Sequence, residues 1–244
     1  MTLVRVIDIE TTGFEPAKGA EIIEVGWVDA MTDGSLHRVS QTRRGMKLYR
    51  PDRPSPPEVM AVHHILPHEL EDMDKFAIPL LVRTMDLTTP ERPTYLVAHN
   101  AEFERLFLVG LDKALGGIPW VCTYKVALVV YPDAPSHGNQ ALMYWLGLHE
   151  HMTEEERHPP HRALPDSVVT AHILSSLLGH MSIDEMVRVT QEPAALPTCP
   201  IGKARGQKWQ DIDAGLLSWF TRQADMRPDV VHCARRELER RSGR

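Results

Sequence analysis

A run of strand-forming residues ends in two acids. Residues 3–9, LVRVIDI, alternate and are rich in valine and isoleucine, so they read as a β-strand. The strand leads into VIDIETTG, which carries Asp8 and Glu10 two residues apart. Side chains alternate between the faces of a strand, so both carboxylates leave the same face. Neighbouring like charges repel and raise one another's pKa. Such a pair is tolerable solvated at an exposed strand end, or around a cation. Spacing alone leaves both readings open.

Two further segments add acids on apolar faces. In HRALPDSVVTAHILSSLL, the spacing predicts a helix over 165–179. Asp166 shares a face of that helix with Val169, Thr170, Ile173 and Leu177, so it points inward and needs a partner. His161 stands just before it. In HNAEFE (99–104), Asn100 is placed to cap a helix over 101–115. Glu104 then aligns with Phe107, Leu108 and Leu111 and points inward. Glu102 aligns with Arg105 and Val109, faces solvent, and is expected to pair with Arg105. Four acids in one pocket (Asp8, Glu10, Glu104 and Asp166) would repel severely without a cation. All-oxygen ligation suits Mg²⁺ or Mn²⁺ rather than zinc.

The remaining pattern gives the frame. EIIEVGWVDA reads as a second strand, and Asp33-Gly34 as a hairpin into a third near 36–42. PDRPSPP (51–57) is a proline-rich loop before a short helix. TYLVAH and WVCTY read as two more strands, and 139–147 as another helix. A mixed five-stranded sheet flanked by helices, of the α/β class, follows. QEPAALPTCP (191–200) reads as a linker between a domain over 1–190 and a small module over 201–244. That module holds ten Lys and Arg against six Asp and Glu, on a body that is net acidic. The arrangement suits a nucleic-acid enzyme or, equally, a solvated surface helix. Trp219 reads as core of the module. EHMTEEERHPPH reads as a mobile loop ending at His161.

Three unpaired cysteines and no basic-then-apolar leader suggest a reducing, cytoplasmic setting. No run approaches the ~18 apolar residues of a membrane span, so no membrane partner is expected.

The three motifs, in this order, resemble those of the DEDDh (DnaQ-like) family of 3′–5′ exonucleases: VIDIETTG, then HNAEFE, then HRALPD. RPDRPSPPEVMAVHHI and VCTYKVALVVYP also look like the family's intervening segments, and the similarity covers about residues 3–180. The module start, IGKARGQKWQDIDAGLLSWF, is similar to the one that follows the nuclease in some members. The second motif ends in Glu104 where the family has Asp, which moves the charge outward by ~1.5 Å. His64 stands where the family usually has Gly.

The resemblance implies a ribonuclease-H-like fold and phosphodiester hydrolysis from a 3′ end with two divalent ions, Mg²⁺ or Mn²⁺. Asp8 would bridge the ions, Glu10 and Asp166 would hold one, and Glu104 would support the other. His161 would take the proton of the attacking water. The expected product is a nucleoside 5′-monophosphate. Thr11, Thr12, Gly13, Phe14, His63 and Asn100 are expected to touch substrate, and Lys203 and Arg205 of the module to grip phosphates. The expected partner is DNA, single-stranded or at duplex 3′ ends, in a repair role. The alternatives are RNA trimming and a non-catalytic nucleic-acid-binding relative. No residue decides the oligomeric state.

Overall fold

The computed structural model describes residues 2–32, 43–85 and 92–243. The chain opens with β1 (Thr2–Thr11), β2 (Ile22–Thr32) and β3 (Arg44–Leu48). The turn at Asp33-Gly34 and the strand expected near 36–42 lie outside the described residues; β3 follows them. Two short helices come next, α1 (Pro57–His63) and α2 (Ile78–Thr84), then β4 (Tyr95–Ala98). The segment expected as one helix is two, α3 (Ala101–Phe107) and α4 (Leu111–Ala114). Gly110, at φ +88°, breaks it. β5 (Trp120–Cys122) is shorter than expected, because Thr123 already begins α5 (Thr123–Val130). Helices α6 (Asn139–Trp145), α7 (Glu154–Arg157), α8 (Ala163–Leu178) and α9 (Ile183–Gln191) complete the body.

The sheet order is β3-β2-β1-β4-β5. β1 pairs antiparallel with β2 and parallel with β4, so the sheet is mixed, as expected. Strand alternation divides the core. Val4 and Val6 pack with α5, α6, α8 and α9 on one face. Ile7 and Ile9 pack with α2, α3 and α4 on the other. Asp8 and Glu10 continue the Val4–Val6 row, so they emerge on the α8 face.

α8 reaches that face because β2 carries a glycine. Gly26 pairs with Asp8 across the ladder. A Cβ at Gly26 would stand 2.2 Å from the backbone of Ala163. Its absence lets the first turn of α8 lie directly on the sheet, where Ser167 Oγ donates to the Gly26 carbonyl at 3.1 Å.

Beyond α9, residues 196–238 share a separate core of Cys199, Trp209, Leu217, Phe220, Val230 and Cys233. It holds α10 (Ala214–Phe220) and α11 (Pro228–Ser242). Trp209 Nε1 donates to the Leu196 carbonyl at 2.6 Å. The expectation that Trp219 is core does not hold. Leu217 and Phe220, three apart on α10, take the inner face and leave Trp219 47% exposed. The segment read as a mobile loop contains α7, closed by a capping box between Thr153 and Glu156. Glu156 also pairs with Arg44 of β3 at 3.2 Å.

Candidate active site

Asp8 and Glu10 from β1 and Asp166 from α8 bring ligand oxygens within 4.8 Å of one another. Glu104, from the first turn of α3, is 3% exposed, and its Oε2 has no hydrogen-bond partner. Burial pushes all four carboxyls up. Asp8 rises well above its ordinary value through burial, then through the charges of Asp166, Glu10 and Glu104. Glu10 is pushed to about 9, by burial and then by Asp166 and Glu24, with Arg162 opposing. Burial takes Glu104 to about 8, with a backbone amide opposing. Asp166 rises to about 6 through burial, offset by His161 and Gln140. Two buried carboxylates (Glu104 and Asp166) and two half-buried ones (Asp8 and Glu10), with one orphaned oxygen, form a donor set of hard oxygens. It fits a divalent cation of the Mg²⁺ or Mn²⁺ type.

The helix phase expected for HNAEFE holds for its two acids. Glu104 is inside, and the Glu102 side chain is 67% exposed. The expected Glu102–Arg105 pair is absent; Glu102 Oε1 instead meets Lys125 Nζ at 2.5 Å. Lys125 is anchored from α5 by the carbonyls of Thr190 and Glu192, and so stands ready beside α3. Asn100 occupies the N-cap position but makes no side-chain capping bond. Its backbone is left-handed, φ +75°, a conformation asparagine tolerates well, and its side chain is exposed.

His161 lies in the left-handed region too, at φ +59°, with an exposed side chain. Its amide donates to Asp166 Oδ2 at 3.3 Å. Thr11 Oγ1 closes on the Gly13 carbonyl at 2.6 Å, and Thr12 Oγ1 accepts from the Glu21 amide at 2.9 Å. Phe14 stands 77% exposed at the rim, edge-on to Phe103 of α3, so core packing is not its role. His63 is buried; its Nδ1 accepts from the Ile65 amide at 2.9 Å, and its Nε2 has no partner. His64 sits at φ +58° as the cap of α1, a backbone that favours the glycine usual in the family. Lys203 and Arg205 are exposed beside Ala204 of the C-terminal core.

Residues outside the motifs complete the setting. Glu24 is fully buried on β2, opposite Glu10 in the ladder. It accepts from Arg162 Nη2 at 2.7 Å and from the Ala163 amide at 2.8 Å. Gln140 Nε2 donates to Asp166 Oδ1 at 2.6 Å, and Asn139 Nδ2 to Thr170 Oγ1 at 2.7 Å. Glu24 had a signal: an acid flanked by Ile23 and Val25 in an apolar strand run, two residues before a glycine. Gln140 had none, because only the folding of α6 against α8 brings it to Asp166.

Comparison with known proteins agrees with this geometry. Residues 6–174 match the model of the RNase_T exonuclease family. Exodeoxyribonuclease 10 of Escherichia coli (strain K12) is 29% identical over 245 residues, covering 97% of this chain and 99% of the relative. A structure of exonuclease X in complex with 5′ overhanging duplex DNA superposes with a TM-score of 0.58 at 28% identity. That match covers 77% of this chain and 99% of the other. The nuclease domain of 3′hExo, a DEDDh family member bound to rAMP, shares the fold with a TM-score of 0.56 at 20% identity. It covers 72% of this chain and 92% of that one. The ribonuclease-H-like sheet, the acid cluster and these matches together establish that the chain belongs to the DEDDh family of 3′–5′ exonucleases, a family of hydrolytic nucleases.

Proposed function

We propose that the protein removes nucleoside 5′-monophosphates from DNA 3′ ends by metal-dependent hydrolysis, in the service of DNA repair. The observation that carries this reading is the convergence of Asp8, Glu10 and Asp166 within 4.8 Å, with the partnerless Glu104 oxygen as a fourth donor. These four residues would hold two divalent cations, Mg²⁺ or Mn²⁺. When bound, the ions supply Lewis-acid stabilisation of charge on the scissile phosphate.

The chain's own groups do the rest. The imidazole of His161 takes the proton of the attacking water as general base. Its amide contact with Asp166 Oδ2 ties its backbone to the acid cluster. Backbone groups of Thr11, Thr12 and Gly13 line the terminal sugar, and the exposed Phe14 ring offers a stacking face. His63 and Asn100 flank the substrate. The C-terminal region acts as a small DNA-binding module through exposed Lys203 and Arg205, with Leu196 and Cys199 of the expected linker (191–200) packed into its core. Likeness to an exodeoxyribonuclease along 97% of the chain, this region included, supports DNA over RNA.

Among the described residues, no helix is long and apolar enough to cross a membrane. The three cysteines are free and buried, which supports a reducing, cytoplasmic setting. The test is incubation with 3′-labelled single-stranded DNA, duplex DNA and RNA, with Mg²⁺, Mn²⁺ or EDTA. Metal-dependent release of mononucleotides from DNA is expected. No release with either metal refutes the enzyme, and RNA cleaved far faster than DNA refutes the substrate.

A further inference from the structure

Both oxygens of Asp166 are engaged by amides from other parts of the chain. Gln140 Nε2, in the first turn of α6, donates to Oδ1 at 2.6 Å. The backbone amide of His161 donates to Oδ2 at 3.3 Å. Asp8 and Glu10 differ: among the described residues, neither side chain accepts a hydrogen bond. Asp166 is therefore the restrained member of the three acids whose ligand oxygens lie within 4.8 Å of one another.

The Gln140 amide is itself held in one orientation. Its nitrogen lies 3.4 Å from Asn139 Oδ1 as well as against Asp166. Asn139 Nδ2 donates to Thr170 Oγ1 at 2.7 Å and to the Asp166 carbonyl at 3.3 Å. Thr170 is fully buried one turn along α8, so it fixes which end of the Asn139 amide faces Gln140. A reversed Gln140 amide would set its own oxygen against two acceptors. Leu142 and Met143 of α6 pack in the same core as Val169 and Ile173 of α8, which sets the distance between the two helices. The contact is thus built by packing and by a connected polar network.

We propose that Gln140 is a positioning residue that limits Asp166 to ligation through a single oxygen, and so biases the acid cluster towards six-coordinate Mg²⁺ or Mn²⁺ and against Ca²⁺. The proposal rests on the divalent-cation reading above. An ionised carboxylate has about four lone-pair sites, so an engaged oxygen still has one to give a cation. Chelation of one ion needs both oxygens turned to it, and that costs the short bond to Gln140. Mg²⁺ takes ligands at about 2.1 Å in near-octahedral geometry, which single oxygens satisfy. Ca²⁺ takes roughly six to eight oxygens and gains most from carboxylates that chelate.

The test titrates metal-free wild type, Gln140→Met and Gln140→Ala with Mn²⁺ and, separately, with Ca²⁺ by calorimetry, without nucleic acid. Gln140→Met keeps the length of the side chain and removes the donor; Gln140→Ala removes both at a half-buried position. In each variant the Ca²⁺ affinity relative to Mn²⁺ is expected to rise about tenfold, the scale of one charge-assisted hydrogen bond. Mn²⁺ affinity itself should change less than threefold. In wild type, Ca²⁺ should displace Mn²⁺ only at large excess, and in the variants at about a tenth of that excess. A Ca²⁺ to Mn²⁺ ratio within twofold of wild type in both variants overturns the proposal. So does equal weakening of both ions, which marks Gln140 as a purely structural contact. Wild-type protein that binds neither ion overturns the cation reading, and the proposal with it.

Discussion

Glu24 and Arg162 lie 138 residues apart and meet as a fork-to-fork ion pair, with Arg162 Nε 3.1 Å from both carboxylate oxygens. The same carboxylate accepts the Ala163 amide, so one buried acid on β2 holds the start of the helix that carries Asp166. Glu24→Ala strands a partly buried guanidinium and frees an orphan amide at that helix end. We expect a loss of about 3 kcal/mol, at the low end for a broken buried pair because Arg162 keeps some solvent. Urea denaturation measures it. A change under ~1 kcal/mol would show that α8 is held by its apolar face alone.

Asp8→Asn keeps the shape and removes the charge most crowded by its neighbours. Turnover should fall by ~10³-fold or more, equivalent to about 4 kcal/mol of transition-state stabilisation. Thermal melting in EDTA should be unchanged or higher, because a repelling charge is gone. Activity within tenfold of wild type would refute the metal assignment.

Glu104→Asp retains the carboxylate and restores the residue usual in the family, so Mg²⁺-dependent activity should be preserved or raised. Glu104→Gln should lower Mn²⁺ affinity, read by calorimetry. If Glu104→Asp abolishes turnover, the pocket is built around the longer side chain.

Metal-free protein should lose stability as pH rises. Glu10, Glu104 and Asp166 have folded pKa values raised to about 9, 8 and 6, so the folded state holds more protons than the unfolded one. That contribution is fully present below the ordinary carboxyl range near pH 4 and is lost as pH climbs through 6 to 9. A divalent cation replaces the protons. Its stabilising effect on Tm should therefore be larger at pH 8.5 than at pH 5.5. An equal Tm shift at both values would contradict the coupling.

His99 should contribute an acid-labile step. Its Nε2 faces the His137 carbonyl at 2.8 Å, and burial lowers its pKa to about 4. A folded pKa below the unfolded value of about 6.5 means stability falls as pH drops from 6.5 to 4, by up to about 3 kcal/mol. In His99→Gln this limb should flatten by about one proton, seen in denaturation curves at stepped pH. An unchanged limb assigns the acid sensitivity elsewhere.

Much of the site was legible because local periodicity carries it. The period of two put Asp8 and Glu10 on one strand face. The helical period put Glu104 inside and Glu102 outside. The same reasoning failed where neighbours in space compete. Arg105 was the nearest cation to Glu102 in sequence, but Lys125, held by two carbonyls of another segment, took the carboxylate. Trp219 reads as core in the sequence, yet Leu217 and Phe220 have the better phase on a short helix.

By itself the sequence determined the acid inventory, its order, the elements that carry each acid and the family they point to. Those follow from local geometry, which a few adjacent residues decide. Only the tertiary structure decided how the acids meet. Gly26 admits the Ala163 backbone, Glu24 locks Arg162, and Gln140 reaches Asp166. Each is a contact between distant segments. It depends on strand register and helix docking, which packing of the whole chain sets and no single stretch encodes.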